Sequence, residues 1–233
     1  MVSAFLLILC LIPAASPAAE TAKTDFPVVG GVVRSEKWII RKEKGEEEFS
    51  GNVSYKNADY SFKSDWALFK KAEGELLLKG HASGVRLWPD GSKTEAFGGY
   101  ARCLNEAQTA FLEPARGGQV LITHDDPKYG IWRATADKAF FDGKKNRLDL
   151  EGNARIEGEN LVSLSEKAVY LHDARSLELF GRPVITGTRN NCDFAVSGDT
   201  ATVTNSYNLL SAQGSVKGWV RKTQSNGTKL NKS

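Results

Sequence analysis

The sequence predicts an all-β protein made of stacked antiparallel hairpins, and three observations predict it. The first is a repeat. Ala139–Gly152 (AFFDGKKNRLDLEG) and Ala168–Gly181 (AVYLHDARSLELFG) each follow an acid-x-Ala step, at Asp137 and Glu166. Each closes with a glycine thirteen residues after the alanine. The same spacing joins Ala67 to Gly80 and Ala201 to Gly214, behind Asp65 and Asp199, and a weaker copy runs from Ala101 to Pro114. A fixed period decides an architecture before any local propensity does.

The second observation is the columns the copies share. Two residues past the alanine stand Phe69, Cys103, Phe141, Tyr170 and Val203. Nine past it stand Leu76, Ala110, Leu148, Leu177 and Leu210, and eleven past it Leu78, Leu112, Leu150, Leu179 and Ala212. Apolar residues at every second position mark a half-buried strand, because alternate side chains point to opposite faces. The third is the segment between the apolar pairs, such as Asp142-Gly143-Lys144-Lys145-Asn146, whose residue types suit a hairpin turn. A hairpin with one greasy face is marginal alone, so the units have to stack.

Taken in order, residues 1–19 hold an apolar run (Ala4–Ile12) followed by prolines and small residues, the pattern of an export signal. The run is short for a membrane span, which needs about 20 apolar residues; left uncleaved, it would be an anchor. Residues 20–35 are expected to be a leader. Trp38, Ile40 and Phe49, closed by Gly51, form a degenerate first unit that suits a cap. Residues 36–221 form one elongated domain in which linking strands alternate with hairpins, and 222–233 is expected to be a tail.

Composition excludes several functions. With 31 basic and 28 acidic side chains the net charge is +3, too small to argue for nucleic acid. Cys103 and Cys192 are the cysteines left after the export segment. They lie far apart in a chain-order stack, so they are expected to be free thiols. His81, His124 and His172 are isolated, read as surface or turn residues, and suggest no metal site. The acid-x-Ala carboxylates recur once per unit, as a structural role does and a catalytic one does not. Neither a cofactor motif nor a catalytic constellation is present, and the chain is expected not to be an enzyme.

The units have the form G-[NH]-[VA] … D-x-A-x-[FY] … L-x-L-x-G. They read Gly80-His81-Ala82, Gly152-Asn153-Ala154, Asp137-Lys138-Ala139-Phe140-Phe141 and Leu177-Glu178-Leu179-Phe180-Gly181. In these residues the chain resembles the OstA/LptA-like periplasmic proteins of lipopolysaccharide transport, from about Trp38 to Val220. The resemblance implies a half-open β-jellyroll, two antiparallel sheets in a V, whose apolar trough holds lipid A acyl chains. It implies Phe69, Leu76, Leu78, Leu112, Phe141, Leu148, Leu150, Tyr170, Leu177 and Leu179 as the trough, without cofactor or catalysis. It also implies lipopolysaccharide as the ligand. Its partners would be other jellyrolls joined by edge-strand pairing, or copies of itself end to end. An LptC-like anchored component of the same pathway is a variant. The copy ending at Pro114 departs from the pattern and puts the trough's continuity there in question. From the residues alone, the columns fit a filled core as well as an open trough. An exported β-solenoid that binds or cuts polysaccharide is the reading of a different class.

If the columns face one interior, Leu150→Asp or Leu179→Asp places an unpaired charge there and costs several kcal/mol. Polar swaps on the alternate residues Asp149 and Glu178 are expected to stay within about ±0.5 kcal/mol. Thermal melts in which both sets are equally harmful would show the register to be wrong.

Overall fold

The structure is a computed structural model that describes residues 26–28, 31–204 and 209–222. Nineteen strands join into one connected sheet, and every pairing in it is antiparallel. A parallel coil of the solenoid kind is therefore not what the described residues form. The expected signal (1–19) and the tail from 223 lie outside the described residues. Part of the expected leader does not behave as one. Phe26–Val28 (β1) and Gly31–Arg34 (β2) pair with each other, and β2 pairs again with Ser54–Asn57. The sheet starts earlier than the repeat because the second-layer strand of the cap unit carries no Leu-x-Leu to reveal it.

The remaining strands run up and down. They are Lys37–Arg41 (β3), Glu46–Asn57 (β4), Tyr60–Lys70 (β5), Glu75–Leu87 (β6), Lys93–Leu104 (β7), Thr109–Glu113 (β8) and Val120–Asp126 (β9). Then come Gly130–Ala136 (β10), Lys138–Asp142 (β11), Arg147–Glu157 (β12), Leu161–Leu171 (β13) and Ser176–Phe180 (β14). Val184–Arg189 (β15), Cys192–Ser197 (β16), Thr200–Thr204 (β17), Leu209–Gln213 (β18) and Lys217–Lys222 (β19) complete the described strands.

One line crosses the sheet. In β4, β6 and β12 the pairing register slips at Gly51-Asn52, Gly80-His81 and Gly152-Asn153. At the same level β14 gives way to β15 at Gly181-Arg182, and β18 to β19 at Gly214-Ser215. Both residues of each pair have positive φ, for instance +75° at Gly152 and +48° at Asn153. Two successive left-handed residues turn the strand sharply, so the part before the line belongs to one layer and the part after it to another. Glycine at the first position is also required by space. A Cβ on Gly51, Gly80, Gly152, Gly181 or Gly214 would run into the carboxylate side chain of Glu36, Asp65, Asp137, Glu166 or Asp199 respectively. That is the role of the acid-x-Ala step. The carboxylate covers the bare glycine, and in three units it meets the side chain of the next residue in a hydrogen bond, Asn52 Nδ2 donating to Glu36 in the first. Asn153 Nδ2 donates to Asp137 at 2.8 Å, and His81 Nδ1 lies 2.8 Å from Asp65.

The hairpin layer holds a row of inward residues that begins Trp38, Phe49, Ala67, Leu78, Ala101 and Leu112. It continues through Ala139, Leu150, Ala168, Leu179, Ala201 and Ala212. From Ala67 to Ala201 small and large side chains alternate along it, as interdigitated packing requires. The row passes Pro114 without a break, because Leu112 of β8 pairs with Ala139 of β11. The linker layer faces it with Val33, Tyr55, Ile122, Ala134, Ile156 and Ile185, all buried.

In the middle, β7, β8, β11, β12, β10 and β9 pair in a closed ring of six. A half-open V has no such ring, so there the pairing corrects the expected architecture. Towards the C-terminus the sheet forks. One arm, β14-β17-β18, leaves β13 in the hairpin layer, and the other, β15-β16-β19, leaves it in the linker layer.

Gly152→Ala should destabilise the protein by about 2–3 kcal/mol, combining backbone strain with the clash against Asp137. Gly130→Ala, also at positive φ but with open space around its Cα, should cost about 1 kcal/mol. Urea melts that rank the two equally would contradict the hinge.

Candidate functional site: a polar clasp across an apolar interior

All ten trough residues expected from the sequence stand on the hairpin layer in the two rows next to the hinge line. Leu78, Leu112, Leu148, Leu150, Leu177 and Leu179 are buried, the last at 0% exposure. Phe69, Leu76, Phe141 and Tyr170 are half-buried, one step nearer the turns. The alternate residues face out, but they are not uniformly indifferent. Asp149 is 6% exposed, accepts both Arg147 N–H groups at 2.7 Å and lies 3.5 Å from Lys167. The expected tolerance at Asp149 is therefore corrected, because a neutral residue there would leave the Arg147 fork without its acceptor. Cys103 on β7 and Cys192 on β16 are free thiols, and burial pushes Cys103 up to about 11.

The central part of the interior ends in a polar cluster that spans both layers, and sequence reading missed it. From the hairpin layer come Phe141, Asn146, Tyr170, His172 and Arg175. From the linker layer come Arg86, Trp88, Asp90, Thr94, His124, Asp126 and Trp132. Arg175 pairs with Asp126 and, at 3.0 Å, with Asp90. His172 Nε2 lies 3.3 Å from the same Asp90 oxygen. Arg86 donates to Asn146 at 3.4 Å and lies over the rings of Trp88 (3.8 Å) and Phe141 (4.8 Å). Trp88 stacks on His172 with ring centres 3.8 Å apart. Apart from the Arg86–Trp88 stack, each of these contacts reaches from one layer to the other.

The histidines are not surface residues here. His124 is 1% exposed and His172, in a turn as expected, 7%; His81 is at the surface, with a 91% exposed side chain. Trp88 Nε1 donates to Thr94 Oγ1 at 2.8 Å, and the same hydroxyl shares a hydrogen bond of 2.8 Å with His124 Nδ1. His124 Nε2 is buried without a partner, and so is His172 Nδ1. Loss of water pushes His124 down to about 4, and the neighbouring His172 adds to the shift. Burial also lowers His172, against the pull of Asp90. The Tyr170 phenol is pushed up to about 12 by burial.

A residual cavity of about 40 Å³ lies beside the clasp, walled by His124, Trp132, Leu150, Ile156, Tyr170 and Leu177. One water needs roughly 10–15 Å³ on this measure, so a few waters fit and an acyl chain does not. At this level the interior is filled core. The C-terminal fork differs. On β19, Val220 stands in register with Phe194 and Leu161 on the inward face, yet it is 72% exposed. Val216, on the same approach, is also exposed.

Neither a protein-family model nor a curated protein matches the chain. Among solved structures the chain is similar to LptH from Pseudomonas aeruginosa, described as the LptA-homologous periplasmic component of the lipopolysaccharide transport device. Identity is 13% over 60% of this chain and 75% of that one, with a TM-score of 0.26. A likeness that distant carries no argument, and function has to be read from the geometry.

Arg175→Met removes the cation that two acids share across the layers and should destabilise the protein by about 2–4 kcal/mol, less than a fully buried pair because Arg175 is partly exposed. Exposed Arg116→Met should stay within about ±0.5 kcal/mol. Denaturant midpoints of the two variants, compared with the parent, check this.

Proposed function

We propose that the chain is a non-enzymatic periplasmic lipid carrier that holds the acyl chains of lipopolysaccharide between its two layers and passes them along a bridge between membranes. The observation that carries this reading is the C-terminal fork. Its two arms present apolar residues inward, Leu210 and Ala212 from one and Phe194, Val196 and Val220 from the other. Among the described residues, the last strand of each arm has no further partner strand. An apolar cleft with an uncovered end suits a chain-shaped apolar ligand, and burial is worth about 0.8 kcal/mol per CH₂ enclosed. In this reading the half-open trough is the fork, and the buried rows behind it form the floor on which the fork is built.

The unpaired N–H and C=O groups of β18 and β19 would accept strands of another β-protein of the bridge, or of a second copy. The small net charge supports a ligand held by its chains more than by its phosphates. No cofactor is called for.

A photo-crosslinker at Val220, facing into the fork, should capture lipopolysaccharide when the protein is made in a host that synthesises it. One at Trp219, on the opposite face of the same strand, should not. Equal labelling at both positions, or capture that survives removal of the acyl chains, would overturn the carrier reading.

A further inference from the structure

The clasp is where the two layers are held together over the closed middle of the molecule. Its two histidines are buried in this closed arrangement, where a second proton on either ring is disfavoured. On His124, Nδ1 is engaged with the Thr94 hydroxyl and Nε2 is buried without a partner. In either tautomer a second proton would put a charge on a ring that is 1% exposed. A proton on His172 would go to Nδ1, a buried atom without a partner, in a ring stacked on Trp88 and 5.6 Å from the ring of His124. We propose that the clasp is an acid-opened gate: protonation of His124 and His172 parts the two layers over the middle strands and joins the apolar interior to the fork.

The charges that face these rings come from several elements. Around His124 stand Asp126 on its own strand, Asp90 in the β6–β7 loop, and Arg175 and His172 in the β13–β14 turn. Around His172 stand Asp90, Asp173, Arg175 and Arg86 of β6. The acids favour the protonated forms, but those nearest are already committed. Asp90 accepts from the Ser92 N–H and hydroxyl and from Arg175. Asp126 accepts from the Lys128 and Tyr129 N–H groups and from Arg175. Burial therefore prevails in the closed clasp, and both rings resist protonation there.

In an opened clasp both rings reach water and take up protons near the ordinary histidine value of about 6.5. The open form binds more protons, so lowering the pH from about 6.5 towards 4 shifts the balance to it. The hinge pairs lie elsewhere, and the ladder that holds His124 to Thr94 and Trp132 runs within one layer, which lets the layers part without the strands being lost. This deepens the carrier reading and rests on it for its use, giving the interior a way to admit a chain that the closed form excludes.

The test uses the full chain without lipid, so that its failure is distinct from failure of the carrier reading. An apolar fluorescent dye and far-ultraviolet circular dichroism are followed from pH 7.5 to 4. Dye emission should rise several-fold with a midpoint between pH 6.5 and 4 while the strand signal is retained. The double variant His124→Gln/His172→Gln should show no such rise. In the parent, the histidine C–H resonances of His124 and His172 should titrate at the dye midpoint, which needs no variant at all. Dye binding that coincides with loss of strand signal, a double variant that responds like the parent, or histidine titration away from the dye midpoint would each overturn the gate.

Discussion

A carboxylate laid against a glycine, five times over, is the constraint on which the rest of the structure depends. Glu36, Asp65, Asp137, Glu166 and Asp199 occupy the space where a Cβ of the paired glycine would be. They do so at one level in the cap and in four of the five copies, the copy ending at Pro114 lacking the pair, and therefore the chain passes between layers on one line in those units. Once the line is set, the period-two alternation of each strand determines where its side chains go. Ala and Leu nearest the line meet across the interior, aromatics lie one step out, and turn residues come together beyond them. A one-residue shift at one hinge would turn the strands beyond it inside out.

The interior then contains two opposed solutions. Near the hinge line it is dry and close-packed, with alternating small and large residues and fully buried side chains such as Leu150, Leu179 and Ile185; each buried Leu or Ile contributes roughly 1.5–3 kcal/mol. At the mouth it is polar and aromatic, with two Arg, two Asp and two His in contact. A shared salt bridge of that kind adds little net stability once desolvation is counted, but breaking it is costly. Such a cluster serves less to hold the fold than to define one closed state distinct from an open one.

The two parts were unequally legible in the sequence. The hinge and its rows show because they repeat: Ala139, Phe141, Leu148, Leu150 and Gly152 have counterparts in each copy, and the observed register pairs them as their spacing requires. The cap unit was legible too, with Trp38 stacked on Phe49 at 5.9 Å. The clasp was invisible because it is made once, from turns and strand ends that do not repeat. Arg175 and Asp90 lie 85 residues apart, and what brings them together is the crossing of layers at the hinge, which local patterning does not encode. His124 and His172 look like solvated turn residues for the same reason, though Trp88, Tyr170 and Trp132 nearby could have signalled a buried polar cluster. The closed ring depends on β8 pairing with β11 across the irregular link after Pro114, a long-range choice that no motif announces.

A carrier of this design takes acyl chains between the two arms of its C-terminal fork. Native mass spectrometry of the protein purified without detergent from a lipopolysaccharide-making host tests it most directly. A fraction of molecules should carry the mass of one lipopolysaccharide, lost when the apolar face of the fork is changed by Val220→Asp together with Leu210→Asp. The bare polypeptide mass alone, or an adduct that persists unchanged in that variant, would contradict it.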